Sequence, residues 1–218
     1  LDALRVDSHC SSADFVIGLA GAVAMYVHRD GEISNSHRKQ LSTLLLDVIG
    51  PEASGLSRII EKCAEEHLAN GAVLAVTMGL ILEVLLKASK TIFETVPSLR
   101  GKLIDVVQRC LKTHQSSAKL VAVSIHVAAT LVNDAKTGLQ LFHAGVAHLV
   151  IEAFDAHATL SADVVHSTCK LVYSLASFRT VRQMIKSTFE GIRNKISSGF
   201  ATHCATSRTV EKWGKDAM

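Results

Sequence analysis

Apolar and polar positions fall into blocks that recur in the same phase along the chain. Four segments open with a polar and a small residue and then turn apolar. They are Ser12-Ala13-Asp14-Phe15-Val16, Asn70-Gly71-Ala72-Val73-Leu74, Ser117-Ala118-Lys119-Leu120-Val121 and Ser161-Ala162-Asp163-Val164-Val165. Ser or Asn in that place suits a helix N-cap, whose side chain accepts a hydrogen bond from a free backbone N–H of the first turn. After each cap, about 15 residues carry apolar side chains on more than one face, which predicts a helix buried between neighbours. Aligned on the small residues at 13, 72, 118 and 162, the blocks are spaced by 59, 46 and 44 residues. The longer first interval requires an insertion, expected in the polar stretch from His28 to Asn35.

A second pattern recurs between these blocks. Leu56, Ile59, Ile60, Cys63 and Ala64 form an i, i+3, i+4, i+7, i+8 stripe, repeated by Leu103, Val106, Val107, Cys110 and Leu111. Val146, Leu149, Val150, Ala153 and Phe154 repeat it again. A stripe of this kind predicts a helix packed on one side. Between each long helix and the next striped one lies a short element, expected at Thr91 to Leu99, Thr137 to Ala144 and Thr180 to Ser187. Units of about 45 residues, each made of a short, a striped and a long helix, predict a helical repeat array. Residues 198–208 read as a loop, followed by a short helix from Thr209 to Lys215.

The run Leu141-Phe142-His143-Ala144-Gly145-Val146-Ala147-His148-Leu149-Val150 resembles an armadillo junction, in which a short helix ends at Gly and the next opens on an apolar pair. Gly145 stands where the chain must turn sharply, and Gly tolerates the positive φ such turns require. Ala162 to Ser177 resembles the third helix of the same repeat. The resemblance covers 101–197 best and 56–100 less well. It implies an all-α fold, a right-handed α-solenoid of armadillo-like three-helix repeats, related to HEAT-like arrays. It further implies a single domain over 1–197, with irregular helices over 1–55, recognisable repeats over 56–197, and a basic tail or short capping helix over 198–218.

The resemblance also implies that third helices line a concave groove. The expected groove residues are Lys119, His126, Thr130 and Asn133 from one unit, and Asp163, His166, Lys170, Tyr173 and Ser177 from the next. Peptide-binding armadillo arrays carry Trp and, four residues later, Asn on these helices. Here the matching positions are His126 and Thr130, then Lys170 and Ser174, and the only tryptophan is Trp213. The extended-peptide mode is therefore not expected. What remains is a non-enzymatic protein-binding scaffold, a fragment or subunit of a larger complex.

Composition narrows the alternatives. The chain has 218 residues, 48% hydrophobic but only 5% aromatic, so Ala, Val, Leu and Ile must fill the core. Just two prolines, Pro51 and Pro97, interrupt the helical stretches. The apolar segment from Gly71 to Leu86 is shorter than the roughly 20 residues of a spanning helix and contains Glu83, so a buried helix is expected and no membrane insertion. Asp2, Arg5 and Asp7 break any apolar run at the start, which does not read as a signal peptide. Five scattered cysteines without a CxxC suit reduced thiols and an intracellular setting, cytoplasmic or cytoskeletal, with the nucleus as the alternative. Cys63 and Cys110 share one stripe position, which predicts small core residues and not reactive thiols.

Charge is nearly balanced at +3 overall, but its distribution is uneven. From residue 179 onward, Arg179, Arg182, Lys186, Arg193, Lys195, Arg208, Lys212 and Lys215 face only Glu190, Glu211 and Asp216, a local net of +5 against −2 for the remainder. This end reads first as a solubilising cap, and alternatively as a seat for an acidic partner such as an acidic protein tail or RNA. With only Phe200 and Trp213 to stack bases in the last 20 residues, a nucleic-acid partner is not the leading expectation. Eleven histidines lack the spacing of a metal site, and neither a nucleophile elbow nor a phosphate loop occurs. No cofactor is implied. The competing reading is a helical ligand-binding or enzymatic bundle, with the apolar Gly71 to Leu86 helix lining its pocket.

Overall fold

The structure, a computed structural model, describes residues 60, 61, 65, 68–189 and 192–203. The first of the four repeated blocks, at Ser12, and the helix expected over 209–215 lie outside them. Every described element is helical: α1 (Gly71–Thr95), α2 (Leu99–Thr113), α3 (Ala118–Leu131), α4 (Ala135–His143), α5 (Val146–His157), α6 (Ala162–Ala176), α7 (Arg179–Phe189) and α8 (Ile192–His203). The chain divides into two compact units, Leu1–Val106 and Val107–Met218, with the border inside α2.

In the first unit, Asn70 precedes α1 and its carbonyl accepts from the Leu74 N–H at 3.0 Å. Leu74, Met78, Ile81, Leu85, Ile92 and Phe93 are buried along the helix. The short element expected at Thr91 to Leu99 does not form separately. Residues 87–91 hold neither Gly nor Pro, so α1 runs unbroken to Thr95. Pro97, which lacks the N–H a helix needs, then takes the second position of a tight turn closed by the Leu99 N–H and the Val96 carbonyl at 3.1 Å. Arg100 lays its guanidinium over the Phe93 ring, 4.7 Å from the centroid, and Lys102 pairs with Glu61. No described helix is long and apolar enough to cross a membrane.

In the second unit, the expected caps form. Ser117 accepts from the Leu120 N–H at 3.4 Å, and Ser161 from the Val164 N–H at 3.3 Å. Asp134 caps α4, accepting at one oxygen from the Thr137 N–H (2.7 Å) and from the buried Thr137 hydroxyl (2.9 Å). Gly145, at φ 75°, turns the chain between α4 and α5, a backbone region costly for side chains with a Cβ. The stripe on α5 is buried at Val146, Val150, Ala153 and Phe154, and the Cys110 side chain is buried on α2. Residues 198–203, read above as a loop, instead belong to α8, where Ile196 and Gly199 face inward. A lone Gly is a weak stop signal when its missing side chain is what permits packing.

Helix α6 is the centre of this unit, packing against α3, α5, α7 and α8, while α4 packs on α5 and α7. Its longest contact is with α3, and the two run parallel. Their starts meet where the His157 ring donates to the Gln115 carbonyl at 2.6 Å, and their middles meet where Lys170 reaches His126. Matching helices begin 44, 44 and 46 residues apart: α3 and α6, α4 and α7, α5 and α8. Two glycines permit the close approaches. A Cβ on Gly138 would lie 3.0 Å from a Val181 methyl, bringing α4 against α7, and one on Gly199 would lie 3.1 Å from the Phe154 ring, bringing α8 against α5.

Candidate functional site

The parallel register of α3 and α6 assembles a cluster of basic side chains. His126 and Lys170 stand 44 residues apart, the same interval as the starts of their helices. His166 lies four residues before Lys170, hence on the same face of α6. Each of the three is half-buried. The Lys170 Nζ sits 2.6 Å from His126 Nε2, and the His126 and His166 rings meet edge-on, centroids 5.5 Å apart at 67°. An ammonium can only donate, so His126 Nε2 accepts and its proton rides on Nδ1.

Electrostatics follow from that arrangement. Burial, then the Lys170 charge and His166, push the His126 pKa down to about 4, so the ring is neutral at pH 7. Burial also lowers the pKa of Lys170. The neighbouring Cys169 thiol, pushed up to about 11 by burial, stays protonated and packs as core. Chemically, the cluster sets the Lys170 ammonium against the His126 ring, which in turn meets the His166 ring.

The other expected groove residues take different places. Thr130 turns its hydroxyl back onto the His126 carbonyl at 2.9 Å, and Ser177 does the same with the Tyr173 carbonyl at 3.0 Å. Asp163 is exposed in the first turn of α6, where a negative charge complements the helix dipole. Lys119 and Asn133 are exposed near opposite ends of α3, and the Tyr173 ring is 41% exposed.

Of the basic end, Arg179, Arg182 and Lys186 are exposed on α7. Arg182 donates from Nε to the Ala176 carbonyl at 2.8 Å, capping the end of α6. Arg193 and Lys195 lie in α8, whereas Arg208, Lys212 and Lys215 lie outside the described residues. Among the described residues, no group of His, Cys, Asp or Glu converges to hold a metal ion.

Sequence reasoning missed a second use of histidine. The last residue of α5, His157, donates to the Gln115 carbonyl, and the last residue of α8, His203, donates to the Ala158 carbonyl at 2.9 Å. Each bond ties the end of one helix to the turn before a long helix. Gln115 adds a bond from Nε2 to Glu152 at 3.0 Å. The signal was present as histidines 46 residues apart, one repeat length.

Comparison with family models, with curated proteins and with solved structures returned no match.

Proposed function

We propose that this chain is a non-enzymatic protein-interaction scaffold, an armadillo-like repeat array that receives a partner on the face formed by α3 and α6. The observation that carries the reading is the constant register of the second unit. Three successive helix pairs begin 44 to 46 residues apart, and burial is copied along the two long helices. Leu120 and Val164, Val121 and Val165, Ile125 and Cys169, and Leu131 and Leu175 are buried pairs at that interval.

The widest departure from this agreement, buried against exposed, bears on function. Ala129 is 3% exposed, whereas Tyr173, its counterpart on α6, is 41% exposed. A tyrosine ring left in water beside a basic cluster has the amphipathic character common among interface anchors. The test is an affinity pull-down read by mass spectrometry, comparing the native chain with Tyr173→Ala and with the double variant Tyr173→Ala, His166→Ala. The reading expects a protein enriched by the native chain and lost with the variants. Equal recovery by all three, or turnover of a small molecule without protein recruitment, would refute it.

A further inference from the structure

We propose that the exposed face of α7 docks a short segment of a protein partner rich in Glu or Asp, a surface separate from the α3–α6 face. Val181 and Ile185 form the buried side of this helix, and Arg179, Arg182 and Lys186 are exposed. Their i, i+3, i+7 spacing gathers the three cations on one face. From Arg179 to Phe189 the helix holds no acid, and Glu190, next in the chain, lies outside the described residues. The helix packs on α4 and α6. Helix α4 adds an exposed Lys136 and no acid. The single acid of α6, Asp163, stands in the first turn of that helix, whereas α7 follows its last. Among the described residues, none of Lys136, Arg179, Arg182 and Lys186 forms an ion pair.

Stability and solubility do not account for this face. Arg182 has a structural use, since its Nε caps α6, but that bond leaves the terminal N–H groups of the guanidinium for another acceptor. Arg179 stands in the first turn, where the helix dipole disfavours a cation and no acid offsets it. A solubilising surface mixes both signs, whereas this one carries a single sign. Size and chemistry select the partner. The face from Arg179 to Lys186 is about 10 Å long at 1.5 Å per residue, the reach of a few acidic residues. A nucleic-acid duplex carries about one negative charge per 1.7 Å and asks for a longer basic track. No large apolar side chain is exposed among the described ones of α4 and α7, so this surface offers neither a ring to stack a base nor a wedge to enter a bilayer. Carboxylates need only the charges and donors that guanidinium and ammonium supply.

The test measures fluorescence anisotropy of labelled decaglutamate with the full chain at pH 7, at low and at physiological salt. Parallel titrations use a short RNA duplex and vesicles containing phosphatidylserine. Decaglutamate is expected to bind saturably and more weakly as salt rises. The double variant Arg179→Gln, Lys186→Gln should weaken it by about fivefold or more, and Arg179→Lys should retain most of the affinity. Lys112→Gln, an exposed lysine of α2 removed at the same cost in net charge as either single change, should alter it by less than about twofold. Absence of binding at low salt, equal weakening by Lys112→Gln and Lys186→Gln, or tighter binding of the duplex or the vesicles would overturn the proposal. The scaffold reading fails separately. Decaglutamate lost on Tyr173→Ala but kept by the α7 double variant places the acidic segment on the α3–α6 face and sinks the α7 site alone. Decaglutamate held through α7 by a chain that recruits no protein on the α3–α6 face supports the α7 site and sinks the groove.

Discussion

Acid should loosen the second unit through His126. In an unfolded chain this ring titrates at its ordinary value of 6.5, whereas in the fold it titrates at about 4, chiefly because burial disfavours the imidazolium and secondly because Lys170 and His166 repel it. The folded pKa is the lower of the two, so the unfolded state takes up the proton first as pH falls. The associated stability is complete above 6.5 and is lost progressively as pH falls from 6.5 towards 4. Its full size is ~3 kcal/mol, reduced to about 2 kcal/mol by the water that reaches the ring. Between pH 7 and pH 5 the loss should be about 1 kcal/mol. Urea unfolding at both pH values, on the native chain and on His126→Gln, isolates this contribution. The variant should lack that part of the pH dependence. A nitrogen-15 titration of the ring gives the direct check, with a midpoint near 4 expected. Lys170→Gln should raise that midpoint only in part, because burial remains. A native midpoint at or above 6, or identical pH dependence in His126→Gln, would refute the reasoning.

Three further predictions concern packing and capping. Gly138→Ala gains helix propensity but drives a Cβ to 3.0 Å from Val181, so a net loss of about 1 kcal/mol is expected. Gly101→Ala meets nothing within 4 Å and should stabilise by up to about 1 kcal/mol; urea unfolding of the two variants should give opposite signs. Asp134→Ala removes the acceptor shared by the Thr137 N–H and its buried hydroxyl, and should cost about 2 kcal/mol, readable as a lower thermal midpoint. Cys169, buried and with its pKa near 11, should resist iodoacetamide at pH 8 in the folded chain and react in urea, as followed by peptide mass spectrometry.

Much of the second unit was legible because local signals agreed with one another. Ser117, Ser161 and Gly145 mark boundaries through chemistry that acts within a few residues, and each performs its expected part. The buried stripe on α5 follows from periodicity alone. Local signals failed where an element continued without a stop. Thr91 looks like a new start, yet nothing before Pro97 breaks α1. Gly199 looks like a loop residue, yet it lies in α8 because Phe154 occupies the space a side chain would take.

The candidate site divides in the same way. Helical spacing alone puts His166 and Lys170 on one face of α6. That His126 joins them depends on α3 lying parallel to α6 in a 44-residue register, and no local interaction fixes that register. The sequence by itself determined that this chain builds helices, where most of those in the second unit start, and which stripes are apolar, since caps, glycines and periodicity act over one or two turns. Tertiary structure decided the rest. It made Lys170 a donor to His126, held that ring neutral, and left Tyr173 exposed where Ala129 is covered. Burial and charge proximity arise only when distant segments pack, so they have no signature within a single turn of the chain.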